Sequence, residues 1–207
     1  MNLLKLQLEI TNKMMKNLQN LGILIVFFLG INSSFSQNSN TQPVVKPSEG
    51  KSMVYITRSG GAMLMNFRVY DKDLFIGSLE YGSYFLYECE PGQHLFWAAS
   101  ENRDFVTANL EANKVYVIDL EARMGAFIAA VAVVPQNPNE KRDRKKFYRT
   151  VKKELSISKF QANLTSEDKE SNIKEALEKF EDLKKKNSSK IMILNPEMNF
   201  ENADKPQ

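Results

Sequence analysis

The stretch MNFRVYDKDLFIGSL, residues 65–79, decides the fold class of this chain. Phe67 and Val69 alternate with polar side chains, as in a strand that buries one face and exposes the other. A polar turn follows at residues 71–73, and a second apolar run begins directly after it. Aromatic and β-branched residues on both sides of a short polar turn predict two adjacent strands.

The same pattern extends outward in both directions along the chain. Short apolar segments recur about every ten residues, separated by turn signals such as Gly60-Gly61 and Pro91-Gly92. The last of these segments, AFIAAVAVV at residues 126–134, ends at Pro135. No connection is long enough for a parallel crossover helix. We therefore expect residues 52–136 to form a mainly β domain, an antiparallel β-sandwich of about seven or eight strands.

The pattern changes after Pro138, where a charged helical extension is expected over residues 137–195. Its first part carries Phe147, Val151 and Leu155 at a spacing of four, a narrow apolar stripe of a helix. The second part, SEDKESNIKEALEKFEDLKKK, begins with the N-cap candidate Ser166 and ends in lysines that match the helix dipole. The apolar residues of this second part form one stripe along the predicted helix: Ile173, Ala176, Leu177, Phe180 and Leu183. Residues 196–207 are expected to be a disordered tail.

The beginning of the chain has the features of an export signal. Lys16 precedes the uncharged run LGILIVFFL at residues 21–29, and Ser34-Phe35-Ser36 has the small-x-small pattern that signal peptidase cuts. The apolar run is shorter than the roughly 20 residues that a spanning helix needs. We expect residues 1–36 to be a cleaved signal peptide, with an uncleaved N-terminal anchor as the alternative. Residues 37–51, which are polar and contain two prolines, are expected to be a flexible linker.

Composition excludes several kinds of chemistry. Cys89 is the single cysteine and His94 the single histidine, so an internal disulfide is impossible and a Cys/His zinc site is not expected. Residues 1–36 hold +2 of the net charge of +3, which leaves an almost neutral exported chain. Such a balance gives no support to nucleic-acid binding. We expect no cofactor, no metal and no nucleic acid.

Residues 53–135 resemble a family of bacterial exported domains catalogued as domain of unknown function 2846. The motifs that carry this resemblance are Val54-Tyr55-Ile56 with Arg58, Phe67-Arg68-Val69-Tyr70, Ile76-Gly77-Ser78-Leu79, Gly82-Ser83-Tyr84, Pro91-Gly92-Gln93-His94, Leu110-Glu111-Ala112 and Val115-Tyr116-Val117. The resemblance implies a small β domain of the cell envelope and assigns no catalytic residue. Many relatives look like lipoproteins, but this chain lacks the lipid-bearing cysteine. We therefore expect an exported protein of the periplasm or cell envelope that is not a lipoprotein.

Three groups of residues are candidates for chemistry. If Pro91-Gly92 were the whole loop of a hairpin, Cys89 would face His94, and a thiol beside an imidazole can be a hydrolase nucleophile. L-Proline does not suit such a tight turn, and a lone strand cysteine is typically a small buried apolar residue, so we favour a structural role. No spacing distinguishes an acid from a base among Asp71, Asp73, Glu88, Glu90, Asp119 and Glu121.

Frequent aromatic residues offer a second kind of site. They are Tyr81, Tyr84, Phe85, Tyr87, Phe96 and Trp97. An exposed platform of such rings would stack on a glycan or another small ligand, whereas alternate aromatics in strands usually belong to a core. We favour the core interpretation and keep glycan or small-ligand binding as an alternative function.

The third candidate is a basic segment of the helical extension, which we consider a possible contact with a partner or a membrane. Its residues are Lys141, Arg142, Arg144, Lys145, Lys146, Arg149, Lys152 and Lys153. Its apolar stripe is thin, so the helix either docks back on its own domain or touches an anionic surface. The sequence thus predicts a non-enzymatic binding or assembly module, whose partner we expect to be another envelope protein.

The export signal gives a first testable prediction. Intact-mass measurement and N-terminal sequencing of the protein from an envelope fraction should show a chain that begins at Gln37. A matched variant with Ser34 and Ser36 replaced by bulky leucine should keep its signal, because signal peptidase requires small residues there. An unprocessed wild-type chain would instead establish the N-terminal anchor.

Overall fold

The strands in the described part of this chain form two separate sheets. A computed structural model describes residues 44–60, 65–124, 129–152 and 167–200. The strands are β1 (Ser52–Gly60), β2 (Phe67–Asp71), β3 (Leu74–Leu79), β4 (Tyr84–Cys89), β5 (Gly92–Ala99), β6 (Arg103–Leu110), β7 (Val115–Met124), β8 (Ala129–Pro135) and β9 (Ile191–Leu194). The helices are α1 (Lys141–Lys152) and α2 (Glu167–Lys185), and a 3₁₀ turn spans Pro196–Met198. The predicted signal peptide lies outside the described residues.

Both sheets mix parallel and antiparallel pairs. Sheet A has the strand order β4-β1-β7-β8, and sheet B has the order β3-β2-β5-β6-β9. The pairs β1–β7 and β6–β9 are parallel, and the others are antiparallel. The mainly β class is confirmed, but the prediction of an antiparallel sandwich of seven or eight strands is wrong. A parallel pair needs a long crossover connection between its two strands. Between β1 and β7, most of this connection consists of strands that belong to sheet B.

One face of each sheet contributes to a shared apolar cluster. Sheet A supplies side chains such as Ile56 and Ile118, and sheet B supplies side chains such as Phe96 and Val106, all fully buried. Burying a large apolar side chain contributes about 1.5–3 kcal/mol, so this layer dominates the stability of the domain. Gly77 lets β3 approach this layer closely, because a Cβ there would lie 2.8 Å from a ring carbon of Phe85.

A helix covers the other face of each sheet. Phe147 of α1 packs on the outer face of sheet A, where its ring meets that of Tyr55 edge-on at 5.2 Å. Ala176 and Phe180 of α2 are buried on sheet B, and the Phe180 and Phe105 rings lie 5.6 Å apart. The order of layers is therefore α1, sheet A, sheet B, α2. Neither described helix is long and apolar enough to cross a bilayer.

The segment expected to be a flexible linker is attached to sheet A where it is described. The backbone N–H of Val45 donates to the Tyr55 hydroxyl at 2.6 Å, and that of Ser48 donates to Glu88 at 2.7 Å. The N–H of Gly50 donates to the side chain of Asn113 at 2.8 Å. The linker interpretation is therefore wrong for residues 44–51, and residues 37–43 lie outside the described part.

The end of the predicted extension also returns to the β domain. Ile191–Leu194 adds β9 to the edge of sheet B, so the segment 137–195 is not wholly helical. Phe200 is buried against Phe147, with ring centroids 4.9 Å apart, and its N–H donates to the Val115 carbonyl at 2.7 Å. The prediction of a disordered tail is thus wrong for residues 196–200, because the buried side chain of Phe200 attaches this segment to the domain. Residues 201–207 lie outside the described part.

Two polar side chains cap the edge of β8 in sheet A, Asn102 from the turn before β6 and Asp104 from β6 itself. The Asn102 side chain accepts from the Val131 N–H at 2.7 Å and donates to the Val131 carbonyl at 2.8 Å. Asp104 accepts from the Val133 N–H at 2.8 Å. These bonds satisfy backbone groups that an edge strand would otherwise leave unpaired.

This capping predicts the effect of a single substitution. Asn102→Ala should lower the free energy of unfolding by about 1–3 kcal/mol, because it leaves both backbone groups of Val131 without their partner. Asn109→Ala on β6 is the matched control, since Asn109 is exposed and should change stability little. Urea denaturation measures both, and equal effects would show that the capping bonds contribute nothing specific.

Candidate functional site

The connection between β4 and β5 carries Cys89 and His94. It is not a hairpin, because β4 belongs to sheet A and β5 to sheet B. Cys89 pairs with Ser52 of β1, and Gly92 has a φ of 122° that permits the change of sheet. The register required for Cys89 to face His94 across a hairpin is therefore wrong. The corner nevertheless brings the two side chains close enough for Cys89 to affect the pKa of His94.

His94 uses both of its ring nitrogens. Nδ1 lies 2.6 Å from Oδ2 of Asp71, and Nε2 lies 2.8 Å from the backbone carbonyl oxygen of Glu90. A carboxylate and a carbonyl both accept, so both nitrogens donate and the ring is an imidazolium. The bond to Asp71 is the largest cause that raises the pKa of His94 to about 10, and Cys89 acts in the same direction against the opposing effect of burial.

Asp71, Tyr87, Cys89 and His94 together form what we term the corner cluster. The Tyr87 hydroxyl donates to Oδ2 of Asp71 at 3.0 Å, so that carboxylate oxygen accepts from both sheets. Burial, with Asp71 as a second cause, raises the pKa of Tyr87. The His94 ring stacks on Phe96 at 5.5 Å. The corner cluster therefore links β2, β4 and β5, and ties sheet A to sheet B.

This geometry bears directly on the hydrolase alternative. A general base needs a free lone pair, and an imidazolium that donates from both nitrogens has none with which to take the proton of the Cys89 thiol. Cys89 is buried in the apolar layer between the sheets. The arrangement favours a structural role for both residues. Sequence reasoning missed Asp71 as the partner of His94, since it lies 23 residues away in a segment that indicates only a turn.

A second buried charge cluster lies under α1. Lys146 forms ion pairs with Asp119 at 2.8 Å and with Glu121 at 2.6 Å. Asp119 is 1 % exposed and also accepts from Thr57 at 2.6 Å. Burial lowers the pKa of Lys146, but the two carboxylates outweigh it and raise the pKa overall. Lys146 is thus an anchor that holds α1 on sheet A, and no solvent-facing acid–base pair forms here.

The structure divides the predicted basic segment into two groups. Lys146 is paired, and an Nη1 of Arg144 donates to the Pro138 carbonyl, so these two residues serve the fold. Lys141, Arg142, Lys145 and Arg149 are exposed, and we term them the basic face of α1. No ion pair joins this face to any other described residue. The Lys152 side chain and Lys153 lie outside the described part.

The candidate aromatic platform does not form. Trp97 and Phe96 are fully buried, Tyr84 and Phe85 are buried, and Tyr87 packs partly buried against the layer between the sheets. The Trp97 indole donates to the Lys72 carbonyl at 2.7 Å, which satisfies its polar atom in the core. The core interpretation is confirmed for these five residues. Tyr81, at 45 % exposure, is the exception.

Comparisons with family models, curated proteins and solved structures give no match to this chain. The resemblance to the exported family described above therefore stays a prediction. Within the described residues, no group of three or more His, Cys, Asp or Glu side chains is arranged to hold a metal ion.

The corner cluster predicts how stability depends on pH. The folded-state pKa of His94, about 10, lies above its ordinary value of 6.5. Its charge therefore contributes stability that is fully present below about pH 6.5 and is lost as the pH rises through 10. His94→Gln should lower the free energy of unfolding by about 1–3 kcal/mol at pH 6, and the difference from wild type should shrink toward pH 10.

A direct measurement is available because His94 is the single histidine of the chain. Its imidazole NMR signals should not titrate between pH 5 and 8 in the folded protein, and should titrate near 6.5 in urea. In Asp71→Asn the folded-state midpoint should fall. A wild-type midpoint near 6.5 would contradict the ion pair, as would a stability difference that does not change with pH.

Proposed function

We propose that this chain is an exported, non-enzymatic binding module of the bacterial cell envelope, which contacts an anionic partner through the basic face of α1. The proposal rests first on one observation: four exposed cations share a helix and form no ion pair with any other described residue. The nearby carboxylates of Asp119 and Glu121 are already paired with Lys146. Arg142 acts on the Glu121 carboxylate at longer range, and the charges of Lys141, Lys145 and Arg149 are available to another molecule.

The attachment of α1 supports the same proposal. Phe147 is buried on sheet A, and Lys146 is fixed by two carboxylates on the inner side of the helix. A helix held at these points presents its outer side chains from a rigid support, which lowers the entropy cost of binding. The pattern at residues 16–36 supports export, and the resemblance at residues 53–135 supports an envelope location.

The alternatives have less support. Glycan or small-ligand binding was expected to use exposed aromatic rings, and of the six candidate rings only Tyr81 is exposed. Hydrolysis would require a base beside Cys89, and His94 donates from both nitrogens in the corner cluster. A binding role needs neither feature.

Site-specific photo-crosslinking in the envelope of the producing cell tests the proposal. A photoreactive residue at position 145 should give a discrete adduct, whereas the same residue at position 109, exposed on β6 of sheet B, should not. The adduct should disappear when Lys141 and Arg149 are changed to Glu. It should persist when Lys186 and Lys190 are changed to Glu, which alters the net charge equally.

Two results would contradict the proposal. One is the absence of any adduct from position 145, and the other is equal adduct formation from positions 145 and 109. Circular dichroism and thermal unfolding of each variant establish that folding is retained, which is expected because these side chains are exposed.

A further inference from the structure

The outer side of α2 forms a groove with the turn between β2 and β3. Its volume is about 660 Å³, and Ile173 and Leu177 form its apolar floor. Its acidic rim consists of Asp73, Glu170, Glu178, Glu181 and Asp182. With Lys174 and Lys185, which also line it, the groove has five carboxylates against two ammonium groups, a net charge of −3. We term it the α2 groove.

The basic face of α1 complements this groove in charge and in spacing. Lys141, Lys145 and Arg149 succeed one another at intervals of four residues on a helix, so the first and third lie about 12 Å apart along the axis. Glu170 and Glu178 on α2 are also eight residues apart and have the same separation of about 12 Å. Two helices laid side by side would therefore bring these cations and carboxylates into register.

The side chains of the basic face also suit the apolar floor of the groove. Lysine and arginine carry long aliphatic stems that pack on apolar surface while the charged head reaches a polar rim. In this arrangement the stems cover Ile173 and Leu177, and the heads reach the carboxylates. A short acidic or neutral side chain would do neither.

A single chain cannot make this contact with itself. α1 packs on the outer face of sheet A and α2 on the outer face of sheet B, so both sheets lie between the helices. Sheets pack about 10 Å apart, which keeps the two charged surfaces well separated. The two complementary surfaces of one copy are therefore available to other molecules, including other copies of this chain.

We propose that the α2 groove binds the basic face of α1 of a second copy, so that copies of this chain associate head to tail. This proposal rests on the proposed function and names its anionic partner. Because the two surfaces differ, the contact is heterologous, and repeating it builds a ring or an open chain rather than a closed two-fold dimer. Exposed ion pairs are individually weak and are screened by salt, so association should be weak and should decrease with ionic strength.

Charge reversal on each face separately, and then on both, tests the contact in the exported protein. The α1 variant changes Lys141, Lys145 and Arg149 to Glu, and the α2 variant changes Glu170, Glu178 and Glu181 to Lys. Analytical ultracentrifugation at low salt should show wild-type self-association that 0.5 M salt abolishes. Each single-face variant should associate about tenfold more weakly or worse.

The combined variant, with all six changes in one chain, is the decisive control. It has the net charge of the wild type and again pairs an acidic surface with a basic one, so its self-association should return. A combined variant that stays monomeric would overturn the proposal, and so would single-face variants that associate as the wild type does. Lysine and glutamate have similar helix propensities, so the variants should fold, which circular dichroism checks.

The same experiments separate this proposal from the proposed function. If purified protein does not self-associate but position 145 still crosslinks to a different envelope component in cells, the basic face binds an anionic partner and the head-to-tail contact is wrong. If the adduct in cells has the mass of two copies, both proposals are supported together.

Discussion

The structure depends on the burial of both faces of the parallel pair β1–β7. Every residue of β1 from Ser52 to Arg58 is buried, and so are the first six residues of β7. The inner side chains of this pair pack against sheet B, and the outer ones pack under α1. Strands that are buried on both faces need a packing partner on each face. Sheet B covers one face of the β1–β7 pair and α1 covers the other, so the apolar pair accounts for both layers.

Two buried charge clusters fix how the layers are joined. The corner cluster links β2 and β5 of sheet B to β4 of sheet A, and the Lys146 pairs with Asp119 and Glu121 link α1 to β7. Apolar burial is not directional, so it does not by itself select one rotation of a helix or sheet on another. A buried charge that loses its partner is costly, and these clusters therefore specify the arrangement of the layers even where their net stabilisation is small.

How much of this structure could be predicted from the sequence follows from how local each feature is. Strand alternation, as at Phe67 and Val69, and the apolar stripe of α2 are set by neighbouring residues, and the sequence predicts both elements correctly. The pairs β1–β7 and β6–β9 join segments that are far apart in the chain, and no local pattern distinguishes their direction. The hydrogen bond between His94 and Asp71 could not be predicted for the same reason, because the two residues are 23 positions apart in the sequence.

The location of the site could be predicted only in part. Composition identified the basic segment, but eight basic residues in sequence do not reveal which ones the fold uses. Lys146 forms ion pairs with Asp119 and Glu121, and Arg144 donates to the Pro138 carbonyl. These partners lie outside the helix, so the helix sequence alone does not indicate which cations are paired. Only the packed structure separates the anchoring cations from the basic face.

The layer order also determines which side chains reach the surface of the domain. Because α1 and α2 cover the outer faces of the two sheets, the aromatic side chains of the strands are largely withdrawn from solvent, and the exposed sides of the helices become major surfaces of the domain. These two surfaces differ in sign, since α1 presents four exposed cations and the α2 groove has a net charge of −3. A domain with opposite charges on opposite faces has an electric dipole moment. The field of this dipole orients a charged molecule before it contacts the domain. In the proposed function, the fold acts mainly as a rigid spacer that holds two unlike surfaces apart.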